Sequence, residues 1–258
     1  MVLYFPMKKL LNSIARITTS TLMWPLVALY TLVVFLLAAI LWPFDPYQKI
    51  THHVANLWGK FIIWSNPFWV VSISGKERIK KNKAYVLVSN HNSLADILFL
   101  YCLGKHFKWL AKDSLFKIPF FGWTMSLLKY IPIKRGQHGS VRDSFQEAQE
   151  WLKRNISVVI FPEGTRSISG NLGQFKNGAF KLAIRSQKPI IPIVIQGTSE
   201  IISKGRATVS TRVHGSIHVL PQIEVADFKE NDHETLKQKV WDLMNEELKV
   251  AQLKNADS

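Results

Sequence analysis

The chain has 258 residues, of which 47% are hydrophobic and 20% are charged, and this balance excludes wholesale disorder. Its 33 Lys and Arg against 18 Asp and Glu give a formal net charge of +15, which indicates an anionic partner such as nucleic acid, a membrane surface or a phosphorylated substrate. The one cysteine, Cys102, excludes an internal disulfide and cysteine-based zinc clusters.

The N-terminal segment predicts a membrane device. Residues 22–42 carry no charge, and as a helix they would extend roughly 30 Å, the thickness of the hydrocarbon core of a bilayer. Trp24 and Trp42 bracket this run as interfacial tryptophans do, and Pro25 is predicted to lie in its first turn. A cleaved signal peptide is the alternative, which the length of the run disfavours.

Two further segments flank this apolar run. Residues 1–20 predict an interfacial amphipathic segment, and 49–69 predict a second, half-apolar helix after a proline turn. Because positive charge lies on both sides of the run, we expect a two-helix hairpin dipping into the cytoplasmic leaflet, with a single membrane span as the alternative. The predicted division is 1–65 as membrane-anchoring helices and 66–258 as a globular domain.

The remainder of the chain alternates short β-branched runs with helical patterns. This alternation favours an α/β fold with a mostly parallel mixed sheet covered by helices on both faces. Strands are predicted over 68–75, 84–90, 157–162 and 190–197. Helices are predicted over 93–104, 140–155, 174–187 and 231–253. A late hairpin is predicted from 207–213 and 216–220, around His214 and Gly215.

His91 follows the strand predicted over 84–90, and Asp96 lies near the start of the next predicted helix. Ligands bind open α/β sheets at the carboxyl ends of strands. With His91 before the helix and Asp96 in its first turn, the carboxylate can hold one imidazole nitrogen and leave the other to take a proton. Two alternatives are that Asp96 only caps the helix with Ser93, or that Ser93 is a nucleophile, which the absence of a G-x-S-x-G elbow disfavours.

A second polar loop follows the strand predicted over 157–162. In it, Gly164 permits close backbone approach, Arg166 offers a bidentate fork for phosphate, Thr165 adds a hydroxyl, and Glu163 positions Arg166 or binds a hydroxyl. Each further basic loop residue alone is explained as a solvated charge; these are Lys112, Lys134, Arg135 and Lys176. No metal site is predicted, since His52 and His53 lie in the membrane segment and no other cluster has ligand spacing.

The combination of motifs is more specific than any one of them. N-H-x-S-x-x-D at 90–96 and F-P-E-G-T-R-S at 161–167, with IPIKRG between and FKNGAF and IIPIVI after, resemble the glycerolipid acyltransferase family, and within it the lysophosphatidate acyltransferases. The resemblance covers roughly 66–220, so it implies an acyltransferase domain over 66–258. It implies His91 and Asp96 as the catalytic pair. It implies binding of the glycerol phosphate by Arg135, Glu163, Gly164, Thr165 and Arg166. Lys134 stands where the family often has Asp.

The resemblance also implies an activity. The expected reaction moves an acyl chain from acyl-CoA or acyl-acyl carrier protein to the sn-2 hydroxyl of 1-acyl-glycerol 3-phosphate, making phosphatidic acid for phospholipid biosynthesis. No cofactor or metal is expected, and the expected partners are lysophosphatidic acid, the acyl donor and membrane lipids, without nucleic acid. We expect the catalytic domain on the cytoplasmic face of a membrane, the bacterial inner membrane.

Three rival functions remain open at this point. The nearest is a sister acyltransferase that acts on glycerol 3-phosphate, another lysophospholipid or an amino-acid lipid. The second is a membrane-tethered module that binds lipid or nucleic acid without turnover, and the third is a lipid hydrolase. Acceptor competition distinguishes the sister acyltransferase. RNA binding with a steep salt dependence would favour the binding module. Release of free fatty acid without acceptor would identify the hydrolase.

Overall fold

The computed structural model describes residues 4–134, 136–167, 170–202 and 207–256. The first helix, α1 (Tyr4–Leu41), continues without interruption through the predicted interfacial segment and the apolar run. Pro25 therefore lies inside α1 and not in a first turn, because the helix already begins at Tyr4. The stretch Lys9–Phe44 is long and apolar enough to cross a membrane, and only 11% of its most apolar window is buried, which is typical of a membrane-associated segment.

The second helix, α2 (Lys49–Trp64), runs back along α1 after a tight turn. Asp45 holds this turn, because its carboxylate accepts the backbone N–H of Lys49 at 2.8 Å and the N–H and hydroxyl of Thr51 at 2.9 and 3.0 Å. Met23 of α1 and Ile63 of α2 belong to the same apolar core as residues of the sheet. The division at residue 65 stays a prediction.

Seven strands form one sheet in the described part of the chain. They are β1 (Trp69–Ser74), β2 (Val86–Ser89), β3 (Phe107–Lys112), β4 (Ile131–Ile133), β5 (Ser157–Ile160), β6 (Ile190–Gln196) and β7 (Val213–Val219). Their order is β1-β7-β6-β2-β5-β3-β4, and every neighbouring pair is parallel except β6 and β7. The predicted mostly parallel mixed sheet is confirmed.

Helices cover both faces of the sheet. The remaining helices are α3 (Asp96–Cys102), α4 (Phe121–Leu127), α5 (His138–Lys153), α6 (Gly178–Ser186), α7 (Thr198–Ile201) and α8 (His233–Ala256). One apolar core joins α1 to α4 with one face of the sheet, and a second core joins α5, α6 and α8 with the other face. The parallel strands β2, β3, β4 and β5 therefore direct their carboxyl ends to one common edge, where the polar loops lie.

The hairpin predicted over 207–220 is wrong. A single strand, β7, runs through His214 and Gly215 and lies between β1 and β6. A Cβ atom on Gly215 would lie 2.3 Å from Cε2 of Phe99, closer than any real contact. The glycine is thus required for the packing of the Phe99 ring against the strand and does not make a turn.

The sequence analysis missed β3 because lysines interrupt its apolar pattern. Lys108 is fully buried, and its ammonium donates to Oε1 of Gln48 at 3.2 Å and to the carbonyl of Leu128 at 2.6 Å. The same ammonium lies 4.6 Å from the centroid of the Trp151 ring. These contacts allow a charged residue to occupy an interior strand position that a composition rule assigns to apolar residues.

Candidate active site

His91 and Asp96 lie at the carboxyl end of β2, where the chain enters α3. Nδ1 of His91 lies 2.6 Å from Oδ2 of Asp96, and because the carboxylate accepts, Nδ1 carries the proton. The His91 side chain is 16% exposed and that of Asp96 is fully buried. Nε2 of His91 makes no hydrogen bond within the described residues, so this pair presents an oriented imidazole with one nitrogen available as a base.

Asp96 also organises its own loop. Oδ2 accepts the backbone N–H of Asn92 at 2.8 Å and of Ser93 at 3.0 Å, so the capping role and the contact with His91 occur together. Oδ1 accepts the hydroxyl of Thr198, the first residue of α7. Sequence reasoning missed Thr198, because nothing local connects residues so distant in the chain.

Ser93 is unsuited to be a nucleophile. It is fully buried, and its hydroxyl donates to the carbonyl of Ile202 at 2.9 Å while accepting the N–H of Ala95 at 3.2 Å. A nucleophilic serine would need its oxygen free and next to a base. The geometry therefore supports direct use of His91 on a substrate hydroxyl.

The loop after β5 packs directly on His91. The Phe161 ring stacks on the imidazole with centroids 4.2 Å apart, and the N–H of Ser167 donates to the carbonyl of His91 at 2.8 Å. Oε1 of Glu163 accepts the N–H of His91 at 2.9 Å. The two sequence motifs, about seventy residues apart, thus form one contact unit at the edge of the sheet.

Glu163 braces this unit. Its second carboxylate oxygen accepts the N–H of Gly173 at 3.1 Å, so both oxygens are bonded to backbone. Burial raises the pKa of Glu163 above its ordinary value, while the hydrogen bonds from His91 and Gly173 oppose that rise. The sequence analysis considered Glu163 as a partner of Arg166 or of a substrate hydroxyl, and it missed this bracing position.

A cavity of about 310 Å³ has in its wall Phe161, whose ring stacks on His91. His138 and Gly178, the first residues of α5 and α6, also line it, so the amino ends of two helices meet there. Lys176 lines the same cavity, and its Nζ would lie 3.0 Å from a Cβ built on Gly164, whose φ is +70°. Glycine at 164 therefore makes room for a cation in a cavity suited to an anion.

The other predicted residues take the following places. Thr165 is exposed, and its hydroxyl donates to the carbonyl of Arg166 at 3.3 Å; the Arg166 side chain is half-buried. Lys112 and Lys134 are exposed where β3 and β4 end. Arg135 lies outside the described residues.

Metal-ligating side chains do not cluster in the part of the chain that the structure describes. No three side chains of His, Cys, Asp or Glu converge there in a group that could hold a metal ion. His52 instead contacts the carbonyl of Lys105 at 2.9 Å and the hydroxyl of Tyr130 at 3.1 Å, inside the apolar core.

Comparison with known proteins identifies similar chains. The sequence pattern of the Acyltransferase family matches residues 70–196. A chloroplastic 1-acyl-sn-glycerol-3-phosphate acyltransferase, LPAT1 of Arabidopsis thaliana, is 40% identical over 179 residues, 69% of this chain and 49% of that protein. A 1-acyl-sn-glycerol-3-phosphate acyltransferase of Pseudomonas aeruginosa is 33% identical over 155 residues, 58% of this chain and 60% of that protein. The chain spans about half the length of the chloroplastic relatives.

A solved structure has the same fold. The crystal structure of the 1-acyl-sn-glycerophosphate acyltransferase PlsC from Thermotoga maritima aligns with a TM-score of 0.67 at 23% identity, covering 87% of this chain and 95% of that one. The matched region 70–196 contains both His91 with Asp96 and the Glu163 loop. Residues 70–196 of this chain are therefore an acyltransferase-family domain.

Proposed function

We propose that this chain transfers an acyl chain from acyl-CoA or acyl-acyl carrier protein to the sn-2 hydroxyl of 1-acyl-glycerol 3-phosphate, making phosphatidic acid. The observation that carries the proposal is the His91–Asp96 pair, joined through Phe161 to a cavity lined by Lys176 and two helix amino ends. The names of the relatives from Arabidopsis thaliana and Pseudomonas aeruginosa support the same acceptor.

The reaction needs one base and no protein nucleophile. Nε2 of His91 takes the proton of the acceptor hydroxyl while the hydroxyl oxygen attacks the thioester carbon. Asp96 stabilises the imidazolium that forms. The tetrahedral intermediate then breaks its C–S bond, and the leaving thiolate recovers the proton from His91. Because a thioester is already activated, the buried and fully bonded Ser93 is not needed.

The developing charge on the carbonyl oxygen needs a donor. The backbone N–H groups of Asn92 and Ser93 both donate to Asp96, which removes them from consideration. Lys112, exposed at the end of β3, is a candidate for this donor.

The acceptor phosphate suits the 310 Å³ cavity. Lys176 supplies a full positive charge there, and the first residues of α5 and α6 contribute the partial positive charge of helix amino ends. Arg166, on the loop that stacks on His91, is the second proposed phosphate ligand. Holding the phosphate fixes the acceptor hydroxyl near the base, which is the larger part of what binding contributes to rate.

We propose that α1 and α2 lie in the cytoplasmic leaflet and present lipid substrates to this edge. Side chains tie α1 to the globular domain along its length: Arg16 donates to the carbonyl of Thr208 at 3.4 Å, and Trp24 to that of Ala207 at 2.8 Å. A helix attached to the domain in this way is oriented to lie parallel to the membrane surface. Exposed apolar side chains continue from α1 onto the domain at Phe61, Trp64, Phe68, Val70, Ile118, Phe120 and Trp123.

The test uses the full chain in vesicles, with acyl-CoA and acyl-acyl carrier protein offered separately. Each donor is combined with 1-acyl-glycerol 3-phosphate, glycerol 3-phosphate or lysophosphatidylcholine, and lipid products are measured. We expect phosphatidic acid from the first acceptor alone. Free fatty acid without acceptor would instead identify a hydrolase, and protection of an N-terminal tag from protease in sealed vesicles would contradict the interfacial position.

A further inference from the structure

We propose that Thr198 is a positioning residue for acyl transfer, fixing Asp96 through the carboxylate oxygen that does not contact His91. The inference rests on the proposed function. Thr198 is fully buried at the start of α7, and its hydroxyl donates to Oδ1 of Asp96. It does not line the cavity, and it is not part of the motifs that carried the family resemblance.

The two oxygens of Asp96 have different partners. Oδ2 takes three donors from its own loop, which are Nδ1 of His91 and the N–H groups of Asn92 and Ser93. Oδ1 takes its donor from Thr198. Without that hydroxyl, a fully buried carboxylate would keep one oxygen unsatisfied and could rotate about its terminal torsion, withdrawing Oδ2 from His91.

The segment that carries Thr198 is itself held against the catalytic loop. Gly197 has a φ of +80°, and a Cβ there would lie 2.5 Å from the carbonyl oxygen of His214, so glycine lets α7 begin close against β7. At the other end, the carbonyl of Ile202 accepts the hydroxyl of Ser93 at 2.9 Å. Thr198 is therefore fixed from both sides relative to Asp96.

The same segment reaches α1. Ile202 forms an antiparallel bridge with Val209, whose N–H donates to the hydroxyl of Ser20 at 2.9 Å. Ser20 is buried and donates in turn to the carbonyl of Arg16. The predicted membrane helix is thus connected by hydrogen bonds and one bridge to the residue that holds the catalytic carboxylate.

Loss of the Thr198 hydroxyl has two expected effects. A carboxylate less well oriented lowers the rate of proton transfer without weakening the binding of either substrate. The charged groups that face His91 are Asp96 of α3 and Glu163 of the loop after β5. A carboxylate withdrawn from His91 stabilises the imidazolium less, so the acid limb of kcat moves to lower pH.

The experiment compares Thr198→Val, Thr198→Ser and Thr51→Val in the purified full chain. Thr51 is the matched control, because it is also buried and its hydroxyl also bonds a buried aspartate, Asp45, at the α1–α2 turn. We expect Thr198→Val to lower kcat by about 10-fold or more with both KM values within about twofold, and to move the acid limb down by about half a pH unit. Thr198→Ser restores kcat, and Thr51→Val changes neither kcat nor the acid limb.

Equal effects of Thr198→Val and Thr51→Val on kcat, or an unmoved acid limb, overturn the inference. Should Thr198→Val fail to fold, Thr198→Ser and Thr198→Cys decide it, since they differ only in the strength of the donor. A lower kcat for the cysteine variant supports positioning, and equal values overturn it. An inactive wild-type chain contradicts the proposed function instead, so the two failures are distinguishable.

Discussion

The loop after β2 and the cavity lined by Lys176 differ in how their polar groups are satisfied. Around Asp96 every carboxylate oxygen has a donor and the side chain is fully buried. Around the cavity, Lys176 is exposed and the helix amino ends face open space. Proton transfer requires fixed geometry, whereas a binding site for a charged headgroup keeps its cations hydrated until the ligand arrives. Changes in the first region should therefore affect kcat, and changes in the second should affect KM.

The largest expected effect comes from His91→Ala. Loss of a general base lowers kcat by about 1000-fold or more while leaving the KM values nearly unchanged. His218→Ala is the control, because that histidine also pairs with a carboxylate, Glu247, at 3.0 Å but on β7 and α8. Steady-state kinetics in detergent micelles measure both, and a His91→Ala enzyme retaining a tenth of the wild-type kcat would remove His91 as the base.

Glu163→Gln sharpens the comparison, because Glu163 belongs to the motif implied to bind substrate yet lies in the rigid region. The backbone N–H groups of His91 and Gly173 both donate to the Glu163 carboxylate. In the glutamine variant, the side-chain NH₂ group would face one of these two donors. We expect kcat to fall about 10- to 100-fold with the KM for lysophosphatidic acid within about twofold. The exposed Glu224→Gln is the control. A rise in KM with unchanged kcat contradicts bracing and supports a substrate contact.

Replacing the cations proposed to bind the acceptor phosphate should change KM and leave kcat unchanged. For Lys176→Ala and Arg166→Ala, we expect the KM for the phosphorylated acceptor to rise about 10-fold while the KM for the acyl donor stays constant. Lys153→Ala, at the far end of α5 and paired with Glu150 at 2.7 Å, serves as control. Equal increases in the two KM values would count against a phosphate site in this cavity.

The smallest effect concerns two lysines of one strand, Lys108 buried and Lys112 exposed. Burial lowers the pKa of Lys108 from 10.5 to about 7. Between these values the unfolded chain binds more protons, so the free energy of unfolding rises with pH, by about 2 kcal/mol from pH 7 to about pH 9. Burial also lowers the pKa of Lys105, to about 8, so part of the rise comes from that residue. We expect Lys108→Met to reduce the rise and Lys112→Met to preserve it, as measured by unfolding at several pH values; a rise of unchanged size in Lys108→Met contradicts the buried-amine explanation.

The elements that could be predicted from the sequence are those whose structure depends on a local hydrophobic pattern. Uninterrupted β-branched runs correctly indicated β2, β5 and β6, because a strand buried on both faces needs no polar alternation. The run over β1 was also correctly indicated, although alternate residues of this edge strand are exposed. The pattern failed at β3, where Lys108 finds its partners in Gln48 and Leu128, and at β7, where Gly215 serves the Phe99 ring. In each case the deciding contact lies far away in the sequence, beyond what a local pattern contains.

The site divides in the same way. With His91 before the helix and Asp96 in its first turn, the sequence allowed the two side chains to meet, and they do, at 2.6 Å. The contacts of Glu163 and Thr198 join separate strands of the sheet, and only the completed topology brings them to Asp96 and His91. Sequence motifs therefore indicated the groups proposed to react, while the groups that hold them in position are visible only in the fold.

The position of β7 dictates an order of events during synthesis. β7 is the only described strand that pairs with β1, from Trp69 against Val213 to Ser74 against His218. The first strand thus waits for its neighbour until the ribosome has passed residue 219, long after the apolar surface of α1 has emerged. The proposed attachment of α1 to lipid can therefore precede closure of the sheet, and a nascent chain that misses the bilayer exposes α1 and an unpaired strand edge together, two surfaces prone to aggregation.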